Sequence, residues 1–191
     1  MQIKPQLLNA CKNNESSAQF ELYKLCYGFM MSICKRYKQD DDTAAEALNK
    51  AFLKVLNNIN DYRSEVPFDA WVKRIMINTL IDDYRREKKG KETVIITAIE
   101  ESKYYNQYVD FNEADKNFDA NELRELLKKL PKMSQKVFNL FAIDGYSHKE
   151  IADLLTISEG TSKWHVAFAR KKLKAMLLQQ QQMIKKKVIN G

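Results

Sequence analysis

The stretch at residues 145–177, GYSHKEIADLLTISEGTSKWHVAFARKKLKAML, reads as a short helix, a tight turn and a longer basic helix. Ser147 opens a capping box that closes at Glu150: the hydroxyl accepts from free backbone N–H groups and the carboxylate reaches back. Ile151, Ala152, Leu154 and Leu155 then form one apolar side. The turn is TIS (156–158), where Ile157 fills the angle between the helices and Ser158 caps the second one. Ala152 is small where the helices must approach. Val166, Ala169, Leu173 and Met176 mark the inward side of the second helix. This is how a helix-turn-helix is built, with the second helix offered to the major groove of DNA. Thr161, Lys163 and His165 stand where phosphates or base edges would be met, and Arg170 and Lys171 where phosphates would be. The competing reading is an ordinary helical hairpin with a solvated basic face.

Trp164 and Phe168 sit four apart in that helix, hence on one face, amid Lys163, His165 and Lys171. Three readings of the pair stand side by side. It touches thymine methyls and sugar faces in the groove; it meets a protein partner; or it is covered by the chain's own tail, folding back from about residue 176.

The rest of the chain supports a helical protein. Of 191 residues, 45% are hydrophobic, enough for a core, and only five Gly and three Pro interrupt them. The net charge of +7 suits a nucleic acid or an anionic surface, and it is segregated. Residues 92–122 carry eight acids against Lys103 and Lys116, a net of −6, whereas 160–191 carry eight bases and no acid. Separate charge implies separate partners. Cys11, Cys26 and Cys34 are odd in number and lack a CxxC spacing, so they read as small buried apolar residues and not as a disulfide or zinc set. There is no signal-peptide pattern and no 18-residue apolar run, so a cytoplasmic protein without membrane insertion is expected.

Upstream, residues 20–37 read as a helix with Phe20, Tyr23, Tyr27, Met30, Met31 and Cys34 as its apolar side. A second helix opens on a capping box of Thr43 and Glu46 and carries Ala47, Leu48, Ala51, Phe52, Val55 and Leu56. A loop follows, and a third helix spans about 68–86 with Trp71, Ile75, Leu80 and Tyr84 inside, stopped by Gly90. Residues 91–118 are acidic and without period, with local order around 95–99 and 104–108. A capping box at Asp119 and Glu122 then opens a helix with Leu123, Leu126, Leu127 and Leu130, ended by Pro131. Ser134 opens another with Val137, Leu140 and Phe141, stopped at Gly145. The tail QQQQMIKKKVING reads as polar and frayed.

The downstream motifs resemble a known domain. Gly145-Tyr146-Ser147, Glu150-Ile151-Ala152, Ile157-Ser158, Glu159-Gly160-Thr161 and Ala169-Arg170-Lys171-Lys172-Leu173 are similar to the C-terminal DNA-binding domain of bacterial sigma factors, especially the extracytoplasmic-function (ECF) group. LKKLPKMSQKVFNLF (127–141) resembles the segment before it. In the first half, Phe68, Trp71, Arg74, Ile75, Asn78, Asp82, Arg85 and Arg86 match that family's promoter-melting segment, with Val72 for the usual Leu. Opening a duplex needs aromatic faces and a cationic groove for the freed strand. Tyr62, Arg63 and Phe68 from the loop, with Arg85, Arg86, Lys88 and Lys89 at the helix end, supply both; the resemblance implies capture of a flipped −10 base there. Trp71 reads equally as core, and the bases at 85–89 equally as answering a helix dipole.

Residues 44–59 resemble the helix that binds the β′ clamp helices of core RNA polymerase. The resemblance puts Glu46, Asn49, Lys50, Phe52 and Leu53 at that contact. Here the chain departs from the family, which is more acidic: only Glu46 keeps its charge and Lys50 reverses one.

The expectation is therefore an all-α chain of two small helical domains joined by an acidic linker: 1–90, like sigma domain 2; 91–120, the linker; 121–178, the helix-turn-helix domain, like sigma domain 4; and 179–191, a basic tail. The implied function is a sigma factor that binds core RNA polymerase (β′ clamp helices and β flap), melts the −10 region and reads the −35 element of promoter DNA. An anti-sigma factor is an implied partner. No cofactor, metal or enzymatic activity is implied, since neither a phosphate loop nor an HExxH is present; Asp82-Asp83 and Asp40–Asp42 alone would make a poor Mg²⁺ site. The alternatives are a stand-alone dimeric helix-turn-helix regulator and a pure interaction module.

Overall fold

Leu22, Cys26, Met30, Ile33, Cys34 and Tyr37 recur at three- and four-residue steps, and this stripe is the buried side of the helix α2, Ser16–Tyr37. The structure, a computed structural model, describes residues 1, 3–89 and 120–189. It divides the chain into two units, 1–93 and 94–191.

In the first unit, α1 (Pro5–Lys12) leads into α2 through Asn14, whose left-handed backbone (φ 59°) Asn tolerates better than most residues. α3 (Asp41–Asn57) buries Ala44, Ala47, Leu48, Ala51, Phe52 and Val55; its three small alanines leave room for the neighbouring helices to pack close. α4 (Phe68–Lys89) follows a single 3₁₀ turn at Ile59–Asp61 and buries Phe68, Val72, Met76, Ile77, Leu80 and Ile81. α2, α3 and α4 each touch the other two, and α1 lies on α2. Fully burying one such Leu or Ile is worth about 1.5–3 kcal/mol, so this interior supplies the unit's main stabilisation.

Three features of this unit differ from the sequence expectation. The buried side of α2 is rotated: Phe20 and Tyr27 are exposed, and Leu22, Cys26 and Ile33 are inside instead. α4 is rotated likewise, with Val72, Met76 and Ile77 inside while Trp71, Ile75 and Tyr84 are half-buried. The cap of α3 also moves, because Asp40 and not Thr43 is the N-cap; its Oδ1 accepts from Thr43 N at 2.8 Å and from Thr43 Oγ1 at 2.9 Å. A carboxylate acceptor at that position outcompetes the hydroxyl.

The second unit contains α5 (Ala120–Lys128), α6 (Lys132–Phe138) continued by one π turn at Asn139–Ile143, α7 (His148–Leu155) and α8 (Glu159–Ile189). Leu126, Leu127 and Leu130 meet Phe138, Ala169 and Leu173, with Met176 and Leu177 against them. Pro131, expected to end a helix, is also the N-cap of α6, and Ser134 is buried within that helix instead of opening it. Gly145, at φ +82°, makes the turn out of the π segment, where Tyr146 N donates to Leu140 O at 2.9 Å. The tail does not fray: α8 is one helix to Ile189. A continuous helix cannot fold back on itself, which removes the reading in which the tail covers Trp164 and Phe168. The expected acidic linker with its local order, the Gly90 stop and the Asp119 cap lie outside the described residues.

Candidate nucleic-acid interface

In the second unit, the capping box of α7 forms as its spacing requires. Ser147 Oγ accepts from Glu150 N at 3.2 Å, and Glu150 Oε2 accepts from Ser147 N at 2.8 Å. Thr156 then takes a left-handed backbone (φ 55°), unusual for a β-branched residue, and Ile157 N donates back to Ala152 O at 3.1 Å. Ser158 Oγ accepts from Thr161 N at 3.0 Å and lies 2.9 Å from Thr161 Oγ1, so Thr161 is tied into the cap of α8. α7 and α8 pack together in this arrangement, with Ile151, Leu155, Val166 and Ala169 buried.

Since α8 buries Ser162, Val166, Ala169 and Leu173, helical geometry puts Gly160, Trp164, Ala167, Phe168 and Lys171 on the opposite side. Trp164 and Phe168 stack there with centroids 5.2 Å apart and planes 18° from parallel; both are half-buried. Lys163 and Lys171 are exposed beside them. The other two residues singled out in this helix face elsewhere. Arg170 is half-buried with its guanidinium 5.9 Å from the Phe141 ring. His165 is turned toward α6, its Nδ1 2.9 Å from Ser134 Oγ, and burial lowers its pKa below 6.5. A second imidazole–hydroxyl pair, His148 Nδ1 to Ser162 Oγ at 2.9 Å, joins α7 to α8. The His148 ring also stacks on Phe141 at 4.3 Å. Its pKa is lowered too, first by burial and then by the Lys163 charge.

In the first unit, Tyr62, Phe68 and Trp71 form an aromatic cluster under the loop that precedes α4. The centroids are 5.1 Å (Tyr62–Phe68), 5.2 Å (Tyr62–Trp71) and 5.6 Å (Phe68–Trp71) apart. Tyr62 Oη donates to Val66 O at 2.9 Å, closing the loop on itself. Phe68 is the inner member, 4% exposed, so Tyr62, Trp71 and the exposed Arg63 form the accessible part. Along α4, helical spacing brings Trp71, Arg74, Asn78 and Arg85 to one side; Arg74, Asn78 and Arg86 are exposed and Arg85 is half-buried. Lys88 and Lys89 fall in the last turn of the helix.

On α3, Glu46, Asn49, Lys50 and Leu53 face outward, Leu53 with 59% exposure. Phe52 faces inward and meets Tyr23 edge-on at 5.0 Å, while Tyr23 Oη donates to Asn49 Oδ1 at 3.0 Å. Lys50 is not an isolated charge reversal. Its Nζ is 2.7 Å from Glu46 and 4.0 Å from Asp83 of α4. The hydrogen bond from Lys50 lowers the Glu46 pKa, and the same bond raises that of Lys50. Lys38 lies 3.7 Å from Asp83 and 3.6 Å from Glu87, and Lys54 3.3 Å from Asp82. The two aspartates therefore serve lysines, and among the described residues no group of three or more His, Cys, Asp or Glu is placed to hold a metal ion. Sequence reasoning missed this lattice, because nothing in the local pattern pairs α3 with α4. It also missed both histidine–serine pairs, whose members lie 31 and 14 residues apart.

Residues 22–90 match the family model "Sigma-70 region 2" and residues 120–173 match "Sigma-70, region 4". The RNA polymerase sigma factor SigZ of Bacillus subtilis (strain 168) is 28% identical over 141 residues, which is 72% of this chain and 74% of the relative. The ECF RNA polymerase sigma factor SigW of the same organism is 27% identical over 163 residues, 82% of this chain and 83% of the relative. Among solved structures, the sigma factor RpoE in complex with the anti-sigma factor NepR from Bartonella quintana aligns at a TM-score of 0.49 and 19% identity, over 82% of this chain and 94% of that one. With both regions of one family matched in chain order across well over half of its residues, the chain belongs to the sigma-70 family, as an ECF sigma factor that directs promoter-specific transcription initiation.

Proposed function

We propose that the labour of initiation is divided between the units. The second unit reads the −35 element through the outward side of α8, with Lys163, Trp164, Phe168 and Lys171 toward the groove and Thr161, His165 and Arg170 holding the helix in place. The observation that carries this reading is the braced helix-turn-helix whose second member is a basic helix with no acid after Glu159. The first unit binds core RNA polymerase through the outer face of α3 (Glu46, Asn49, Lys50, Leu53), with Phe52 behind it. It holds the melted −10 strand with Tyr62, Arg63 and Trp71 over Phe68, and with Arg74, Asn78, Arg85, Arg86, Lys88 and Lys89 along α4. Aromatic faces beside a line of cations are what an unpaired strand needs.

On this reading the protein is a non-catalytic initiation factor of the cytoplasm that works with core polymerase (β′ clamp helices and β flap), promoter DNA and an anti-sigma factor. Among the described residues no helix is long and apolar enough to cross a membrane. The domain bounds follow the same division: 1–90, an acidic 91–120, 121–178 and the basic remainder.

The test is reconstitution with core polymerase. The chain should co-elute one to one and start transcripts at discrete sites. Arg85→Ala with Arg86→Ala should leave co-elution intact and abolish permanganate reactivity of −10 thymines. Unchanged reactivity would remove those arginines from melting; a chain that stays free of polymerase, runs as a dimer and still shifts DNA would favour a stand-alone regulator.

A further inference from the structure

The Trp164–Phe168 stack lies at the centre of the outward side of α8, where a base-reading helix ordinarily presents hydrogen-bonding side chains. We infer that this stack is an apolar slab that selects thymines in the −35 element by their C5-methyl groups; the inference rests on the reading in which α8 enters the major groove.

Three observations carry it. The rings are fixed: they stack at 5.2 Å, and the Trp164 indole is braced edge-on by the His165 ring at 4.9 Å, itself pinned to Ser134. A rigid surface loses little freedom on binding. The chemistry is one-sided, because an indole offers one N–H donor, a phenyl ring none, and neither offers an acceptor. Such a surface cannot satisfy the amino donors that adenine and cytosine present in the major groove, and it cannot make the paired hydrogen bonds that guanine invites from Arg or Lys. Thymine presents a methyl and a single carbonyl acceptor, which match an apolar face with one donor. The surrounding charge names DNA as the occupant: Lys163 and Lys171 are exposed beside the slab, and the chain from Gly160 onward carries no acid.

The test uses the full chain bound to bacterial core polymerase. Duplexes randomised over a −35 window, upstream of a fixed −10 region, are selected for binding. Each thymine of the enriched motif is then replaced singly by deoxyuridine, which removes only the methyl. The wild-type holoenzyme should lose about fourfold in affinity at one or two positions, the worth of one buried carbon. Holoenzyme carrying Trp164→Ala and Phe168→Ala should be indifferent to the same replacements. The measurement on wild type alone decides the matter should the variant fold poorly. A motif that is enriched but insensitive to uracil at every position overturns the thymine inference, leaves groove reading intact and turns the slab toward a protein partner. Selection without any common motif overturns groove reading itself, and this inference with it.

Discussion

His148 and His165 hold the helix-turn-helix by the same device, an imidazole nitrogen 2.9 Å from a serine hydroxyl on a neighbouring helix. Burial depresses both pKa values below 6.5. At His148, Lys163 and Arg170 add to that effect and Glu159 opposes it; at His165, burial alone acts. Below pH 6.5 the unfolded chain therefore binds more protons than the folded unit, and stability falls as pH falls. The unit's contribution from these groups is complete above 6.5 and is lost downward from there. Urea unfolding followed by Trp164 fluorescence, in a Trp71→Phe background, should give a steady midpoint between about pH 7 and 8 and a declining one below about 6.5. Replacing both histidines by Gln should flatten that decline. A decline of equal steepness without them would place its origin in the carboxylates. Sequence alone sets His165 on the DNA-facing surface, since an imidazole beside lysines looks like a phosphate contact. The partners that turn both histidines inward, Ser134 and Ser162, carry no sequence signal. The cysteines are legible, because small apolar thiols without metal spacing have little else to do. All three are buried, with the Cys26 and Cys34 thiols pushed up to about 12 by burial.

Caps and faces differ in how far local sequence determines them. Ser147 with Glu150, and Ser158 ahead of Thr161, form as read because every partner lies within three residues. The inner side of α2 does not, since that helix carries two apolar stripes. The exposed stripe holds the larger aromatics, Phe20 and Tyr27, and the buried one the better-fitting Leu22, Cys26 and Ile33. Only packing against α1, α3 and α4 chooses between them. Lys50 belongs to this scale as well. The family resemblance makes it look like a lost contact, yet it bridges α3 to α4 through Asp83, whose side chain is only 12% exposed. Lys50→Glu would restore the family's acid and set a new carboxylate against both Glu46 and Asp83. With Lys50 itself 49% exposed, solvent screens the pairing, and the loss should stay within about 1 kcal/mol. A double-mutant cycle by urea unfolding checks this: the penalty of Lys50→Glu should shrink when Asp83 is first changed to Asn. Additive effects would mean that the bridge contributes nothing.

For the whole molecule, the informative quantity is the separation of charge. The net of +7 conceals a stretch of net −6 at 92–122 and an acid-free basic end from residue 160. That separation is legible in the order of the residues alone, and with it the expectation of two helical units and a DNA-binding C-terminal half. The division of the basic residues by task is not, because it depends on which side of α8 is buried. Lys163 and Lys171 are exposed beside the slab, whereas Arg170 lies against Phe141. Phosphate contacts release counterions, so the logarithm of affinity should fall linearly with the logarithm of salt concentration. For holoenzyme on its selected −35 duplex, Lys163→Gln and Lys171→Gln should each lower that slope by about one, at every base sequence alike. Arg170→Gln should lower it less and should instead reduce the thermal stability of the unit, since its guanidinium faces a ring and not the groove. Trp164→Ala with Phe168→Ala should leave the slope alone while changing the preferred bases, for neither ring displaces a counterion. An Arg170 effect on the slope equal to that of Lys171 would mean that the side chain swings out to a phosphate on binding, and the −35 surface would then continue along the Lys163 side of α8, on which Arg170 lies seven residues further on.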